Sequence, residues 1–482
     1  MSITRALSNA VSGLTMNARG SETVANNIAN VMTEGYGRRE MGLSSQGFTG
    51  GVRVDGIARV VNSALVGETR NALGSQTEAE GRAAFLSTME SLIGLTGSPG
   101  SLGNALGDFQ SALVSASAKP DEELRLAKVV ASADTLARRL NAIGDGIQTA
   151  RSEADHQIAS DVANLNANLT LVADLNTRIA KLSASGVDVS ALQDQRQNVI
   201  DRIAQIVPVQ EAERQGGKVA IFTLGGAVLL DGTEPVRIDF SPAGQLTAGM
   251  SVGTPPVGRL VVDGKELPTE RMSLFAGGSL AAGFAIRDDL APQFQREIDA
   301  VALDLHDRMA DPGIDLSRAP GQPSLFTDGG VGATLGAIDG LSSRLALSDA
   351  VDPSAGGDVW KIRAGLGATA PGASGDAALL DRMSGVLSAS RAMADGTTFA
   401  GAARLDGFVS RAEAQIATRR VNADADLAAR SARAGTLSTR LMADGVDSDA
   451  ELSRLLQYEQ AYAANAKVIQ TIDDMLNAIL RM

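Results

Sequence analysis

Both ends of this 482-residue chain carry heptad repeats, which commit them to helices that must find a partner. In residues 448–482, Leu455, Tyr462, Ile469 and Leu476 recur every seven residues, with Tyr458, Asn465, Ile472 and Ile479 three positions later. That is the a/d seam of a supercoiling helix, apolar except for one Asn. Val468, Met475 and Met482 widen it, and Ser448 with Glu451 fits a capping box at its start. Leu7, Leu14, Ser21 and Ile28 repeat the spacing near the N-terminus, followed by Ala10, Asn17, Val24 and Val31, and Val11, Ala18, Ala25 and Met32 extend the stripe. Such stripes do not stay bare in water. They fit two complementary helices pairing at the termini, and equally two amphipathic helices docked on one globular core.

The length allows roughly two to four domains with cores of their own. Aromatics are 3% of residues, and a composition of small aliphatics suits long helices more than an aromatic-lined pocket. A net charge of −13 with no basic block argues against nucleic-acid binding. The absence of cysteine removes disulfides, thiolate chemistry and Cys-ligated metals. The best uncharged apolar run, Val219 to Leu230, is too short to span a membrane. Ser8, Asn9, Ser12 and Thr15 interrupt any signal-peptide core, which reads as cytoplasmic or as export without a cleaved signal.

In order, the pattern predicts a helix from about Ile3 to Met32, a break at Glu34-Gly35-Tyr36-Gly37, an irregular polar loop over 38–50, and a strand pair or bent strand over Gly51–Asn62. Helical period returns over Gln76–Leu95 and again through Leu102, Leu106, Phe109 and Leu113. Pro120-Asp121 opens a further helix, which continues to about Leu182. Ser190 with Gln193 fits a second capping box, on a helix ending before Pro208. Short strands punctuated by Gly225-Gly226, Asp231-Gly232 and Asp263-Gly264 mark a β-rich insert. Leu280–Met309 is helical. Residues 311–374, rich in Pro, Gly, Asp and Ser, read as an irregular extension of the β region, with Val359–Ile362 as one strand. Ala377–Met393 and about Ala400–Met442 are helical again. The expected fold is mainly α with an inserted β-rich domain: a terminal coiled coil (1–50 and 441–482), an elongated helical bundle (51–207, 276–310 and 375–440) and the insert (208–275 and 311–374), furthest from the ends.

Catalytic signals are sparse. His156 and His306 each lack a second histidine at ligand spacing, and no HExxH, GxSxG or P-loop occurs. Gly365 and Gly367 are not followed by a strand–turn–helix phosphate site. Asp424 and Asp426 lack the Gly and closing Glu of an EF-hand. Acidic pairs such as Asp288-Asp289 and Asp473-Asp474 read as solvated helix faces. No enzyme, cofactor or metal site is expected. One run is unusual: Asn26, Asn27 and Asn30 fall within five residues, although Asn is a poor helix former. They fit either a frayed, Asn-capped helix end or amides that bond across a helix or subunit interface.

At this run the chain resembles a known family. Ala25-Asn26-Asn27-Ile28-Ala29-Asn30 with Thr33, Gly35 and Tyr36 is similar to the N-terminal signature of the bacterial flagellar rod, hook and hook-associated proteins. Leu455-Leu456-Gln457-Tyr458-Glu459-Gln460-Ala461-Tyr462 and the helix to Leu480 resemble their C-terminal signature. Ser101 to Asp121, Arg125 to Leu140, and Leu192 through Asp194-Gln195-Arg196 to Ile206 narrow the likeness to the hook-associated branch that forms the hook–filament junction. Met32, Glu34 and Gly37 depart from the usual pattern, where Asn, Pro, and Ser or Thr are common. The chain is short for the family, which implies that an outer domain of longer members is missing.

The resemblance implies a structural protein, exported uncleaved through the flagellar apparatus and assembled at the distal end of the hook. Its partners would be itself, the hook protein, a second junction protein leading to the flagellin filament, and a cytoplasmic export chaperone on the C-terminal helix, with no nucleic acid and no membrane. The expected assembly residues are Leu7, Leu14, Ile28, Leu455, Tyr458, Tyr462, Ile469, Ile472, Leu476 and Ile479, with Asn26, Asn27 and Asn30 for polar registration. A hook or distal-rod protein is the nearest alternative. A monomeric helical binding module or adhesin, whose paired ends would resist proteolysis, is the more distant one.

Overall fold

The computed structural model describes residues 3–47, 50–95, 97–253, 256–330, 338–393 and 398–481, so Met482 of the expected stripe lies outside the described residues. Helix α1 (Ile3–Ala29) leads into strands β1 (Arg38–Ser45) and β2 (Val52–Val60), then α2 (Ser63–Ile93), α3 (Leu102–Ala118), α4 (Glu123–Ala184) and α5 (Ser190–Ile206). Strands β3 (Val209–Arg214), β4 (Lys218–Thr223), β5 (Val228–Asp231), β6 (Glu234–Pro235), β7 (Ile238–Asp239), β8 (Val261–Val262) and β9 (Lys265–Glu266) follow. Helix α6 (Gly278–Ala285), a π turn (Ile286–Leu290) and α7 (Ala291–Ala310) come next. Short pieces then lead onward: β10 (Phe326–Asp328), α8 (Leu341–Arg344), β11 (Leu345–Leu347), α9 (Lys361–Ala364), α10 (Ala378–Ser388), β12 (Arg391–Ala392) and β13 (Ala402–Ala403). The chain ends in α11 (Leu405–Ala443) and α12 (Ser448–Leu480). It is mainly α with an inserted β-rich segment, and its first and last helices pair.

Helix α4 is the spine. Its 62 residues span about 93 Å, because apolar positions recur at three- and four-residue steps from Leu126 to Ile179 with no proline among them. Glu123 in its first turn and Lys181 in its last suit the helix dipole. It stops in a Schellman motif: Gly186 has φ +72°, its N–H donates to the Ser183 carbonyl, and the Val187 N–H donates to Leu182. The N-terminal half of α4 joins α3, α7, α10 and the start of α11 in one core; its C-terminal half joins α5, α6 and β3, β4, β5 and β7 in a second. A small third cluster, Ala72, Ala434 and Leu437, marks a neck where α2 and α11 pass together.

The β-rich segment holds two antiparallel sheets, β3–β4–β5–β6 and β7–β8–β9. Asp263 (φ +47°) and Gly264 (φ +75°) close β8–β9 in the two-residue turn that suits a twisted hairpin.

Several local expectations give way. Residues 38–45 are a strand paired with β2, so Gly51–Asn62 supplies one strand and not two. The first helix ends at Ala29, and α2 starts at Ser63, well before Gln76. Pro120 precedes α4, which starts at Glu123. Neither capping box forms. Asp447 caps α12 by accepting from the Asp449 and Ala450 N–H groups, because Glu451 is drawn inward to Asn27; Asp188 serves the start of α5, accepting from the Ser190 N–H and hydroxyl. Val359–Ile362 is not a strand, since Lys361–Ala364 is helical. Ile314, Phe326, Leu345, Leu347, Val351 and Ile362 bury in the first core with the helices, not against the β sheets. The start of the β segment is tied to the neck. Arg70 in α2, at the neck, pairs with Asp201 of α5 (2.6 Å) and with Glu211 of β3. The long α4 carries the chain outward and α5 returns it.

Asp161 on α4 is buried and accepts from Ser279 Oγ (2.6 Å) and Gln157 Nε2 (2.9 Å). Burial raises its carboxyl above the ordinary value, outweighing both hydrogen bonds. The folded chain therefore holds this proton more tightly than the unfolded chain, and stability rises as pH falls through the raised value toward the ordinary one, about 3.9. Asp161→Asn, whose amide can bond both neighbours, should raise the melting temperature at pH 7.5 by about 2 °C. That gain should vanish near pH 4. A lower melting temperature at both pH values would refute this.

Candidate assembly interface

Helices α1 and α12 run antiparallel. Asn465 lies over Gly13, Tyr458 over Gly20, and Glu451 meets Asn27, so seven residues forward on one helix match seven backward on the other. Helix α1 buries Ala10, Gly13, Asn17, Gly20, Thr23, Val24 and Asn27. The approach is close because two of these are glycines. A Cβ at Gly20 would stand 2.6 Å from the Tyr458 ring, and one at Gly13 2.8 Å from the Asn465 amide. Asn17 is buried in the seam with neither amide atom hydrogen-bonded among the described residues. A polar residue at such a position constrains pairing at a cost in stability.

On α1 the seam buries one large apolar residue, Val24. Leu7, Leu14 and Ile28 are partly buried at its flank, while Val11, Ala18, Ala25, Val31 and Met32 are exposed. On α12, Ile472 is buried and Leu455, Tyr458 and Ile469 are partly so. Tyr462 (43%), Leu476 (37%) and Ile479 (57%) are exposed, as are Leu452, Leu456, Val468, Met475 and Leu480. Among the described residues, nothing covers this apolar strip on the helix pair, and exposed apolar patches of this kind commonly mark interaction surfaces.

The three asparagines divide the work. Asn30 caps the end of α1: its Nδ2 donates to the Asn26 carbonyl (2.9 Å) and its Oδ1 accepts from Thr33 Oγ1 (3.1 Å). The Asn26 side chain is exposed. Asn27 is fully buried and uses its whole amide. Its Nδ2 donates to the Arg39 carbonyl (2.9 Å) and to Glu451 Oε2 (3.0 Å); its Oδ1 accepts from the Arg39 N–H (3.0 Å) and the Tyr36 hydroxyl (2.9 Å). One side chain thereby ties α1, β1 and α12 together. Arg39 lies over the Tyr36 ring at 4.9 Å, and burial raises the Tyr36 hydroxyl above its usual value, so it stays a donor.

A second polar node docks this unit on α5. Asp194 accepts from the Gly37 N–H (3.0 Å), Arg39 Nη2 (3.3 Å) and Arg59 Nε (2.6 Å), and Arg59 also reaches Gln197. Two positions on, Arg196 turns the other way. It donates to Asn176 Oδ1 (2.8 Å) and the Gly217 carbonyl (2.7 Å), fastening α4 and the β3–β4 turn. Asp194 and Arg196 belong to a stretch quoted above only for its likeness; their separate duties, and those of Arg39 and Arg59, were not legible from spacing. Of the two histidines, His156 lines an open cleft of about 810 Å³, and buried His306 lies 3.0 Å from Asp307. Among the described residues, no group of three or more His, Asp or Glu could hold a metal.

An elongated helical body, paired terminal helices and an uncovered apolar strip define a structural subunit of assembling type. The model of the flagellar hook-associated protein FlgK helical domain matches residues 86–326, and that of the flagellar basal body rod FlgEFG protein C-terminal matches residues 438–482. The chain belongs to the FlgK family of flagellar hook-associated proteins and is a structural component of the flagellum at the hook–filament junction. It is 21% identical to flagellar hook-associated protein 1 of Bacillus subtilis, over 95% of this chain and 94% of the relative. It is 24% identical to that of Escherichia coli, over 99% of each. The structure of the flagellar hook junction protein FlgK from Burkholderia pseudomallei is 22% identical and covers 55% of this chain and 47% of its own, with a TM-score of 0.44.

Proposed function

We propose that this junction protein polymerises through its terminal helices, and that it has no catalytic role. The observation that carries the reading is the uncovered strip of Tyr462, Leu476, Ile479 and their neighbours beside a glycine-lined seam. Burial of this strip against neighbouring copies would supply the association free energy, at about 25 cal/mol per Å² of apolar surface. Such contacts repeat head to tail and build a tube or zone instead of closing as a dimer. Leu7, Leu14 and Ile28 would complete the terminal core, with Asn26 left to register neighbouring copies. The α1–α12 pair with its hairpin is then the polymerising domain, the helices of the first core the middle body, and the β-rich segment an outer domain.

The partners that fit this role are the hook protein on one side and a second junction protein, leading to flagellin, on the other. Before export, a cytoplasmic chaperone covering the α12 strip would keep it from aggregating. The protein would leave the cell without a cleaved signal and act at the distal end of the hook. Electron microscopy of cells lacking the gene, with flagellin assayed in the medium, tests the assignment. Bare hooks with flagellin lost to the medium are expected. Missing hooks would move the protein down the axis to hook or rod, and normal filaments would defeat the assignment.

A further inference from the structure

A cluster of fully buried charges lies where the β-rich segment meets α4. Arg287 of the π turn and Asp155 of α4 are both 0% exposed. The guanidinium of Arg287 donates to Asp155 Oδ1 (2.8 Å) and to both Asp288 oxygens (2.7 and 2.9 Å). It lies against the rings of Phe240 and Phe284, 5.5 and 4.9 Å from their centroids. Asp288, expected on a solvated face, pairs with this buried guanidinium while its own side chain stays 19% exposed. The π turn inserts an extra residue into the helix and so re-aims this side chain, a device that recurs at functional sites.

Nearby on α4, Arg151 donates to three carbonyls: Arg287 (2.8 Å), Thr247 (3.1 Å) and Met250 (2.6 Å). Asp155 Oδ2 accepts from the Ala243 N–H (2.5 Å), and Ser152 Oγ from the Leu246 N–H (2.9 Å). Further along, Asn166 bonds the N–H (3.1 Å) and carbonyl (2.5 Å) of Ile238. Asn176 bonds the N–H of Val219 (3.2 Å) and the carbonyls of Val219 (2.9 Å) and Gly232 (2.6 Å).

We infer that α4 is a polar rail to which the β-rich segment is locked as a rigid arm, with Arg151, Asp155 and Arg287 as the lock. From Arg151 to Asn176 the rail spans about 38 Å of helix, so a pivot at one end strains the other. Residues 240–250 form no helix or strand, and four of their backbone groups, the Ala243 and Leu246 N–H and the Thr247 and Met250 carbonyls, bond to α4 side chains. Without those side chains, these partly buried carbonyls and amides would lose their protein partners, at a cost to the packed arrangement. The outer face of the arm is then presented to its surroundings in a single attitude set by the helical body. This rests on the buried cluster and the rail contacts and holds whatever the arm contacts.

The chain has no cysteine, so cysteines at exposed Val228 and Val421 would carry spin labels at those two sites only. In the otherwise unchanged chain, the inter-label distance measured by pulsed electron paramagnetic resonance should be single and narrow. In Arg151→Met it should broaden, and exchange at the Ala243 and Leu246 amides should rise about tenfold or more. A folded Arg151→Met protein with unchanged width and exchange would overturn the inference. Should that variant not fold, a broad or split distribution in the unchanged background overturns it equally.

Discussion

Replacing Ile469 and Leu476 with glutamate is expected to abolish assembly while leaving the helical body folded. Ile469 is partly buried beside α1, and Leu476 lies on the strip left open to neighbours. A carboxylate at either place must be desolvated without a partner as copies pack, at a cost of several kcal/mol per subunit. That penalty recurs at every contact of a repeating assembly. Neither residue belongs to the two large cores, so circular dichroism and the melting of the central helices should be almost unchanged. Cells carrying only this variant should show bare hooks and shed flagellin. Filaments of normal number and length on such cells would mean that the α12 strip is not the polymerising surface.

Asn27→Leu should release the terminal pair locally. The substitution removes four hydrogen bonds and leaves the Glu451 carboxylate, 1% exposed, short of one donor. The Arg39 N–H and carbonyl lose their partner as well. A loss of about 2–4 kcal/mol in the stability of this unit is expected, because unpaired buried groups cost more than the bonds are worth. Limited proteolysis should then cut between residues 30 and 60 and within α12, while α4 stays protected. Asn27→Asp keeps both acceptor contacts but sets a second carboxylate against Glu451, so it should be nearly as damaging. Termini that remain as protease-resistant as before would show that the seam holds without this node.

Much of this was written in the sequence because it is local. The three- and four-residue spacing from Leu126 to Ile179 specifies a long helix without reference to the rest of the chain. Asp263-Gly264 specifies a tight hairpin turn for the same reason, since few residues accept positive φ. The paired Asn-rich and Tyr-containing signatures at the two ends identified the family. The heptads foretold that the ends are helices seeking partners, but not which face they use. Of the heptad positions on α1, Ala10, Asn17 and Val24 are buried where the spacing put them, but periodicity weights large apolar residues and so favoured Leu7, Leu14 and Ile28 over Gly13 and Gly20, which line the seam.

That choice belongs to tertiary structure, because close approach rewards the absence of side chains. The same limit applies to β1, where polar residues gave no strand signal until β2 paired with it. It applies also to residues 311–374, whose scattered apolar groups acquire a core only when distant helices supply the other wall. The polar nodes are the clearest case. Asn27 meets Glu451 across 424 residues, and Arg59 meets Asp194 across 135. Nothing in the local pattern links such pairs; a buried amide or guanidinium becomes specific only when the fold removes water and leaves one partner within reach.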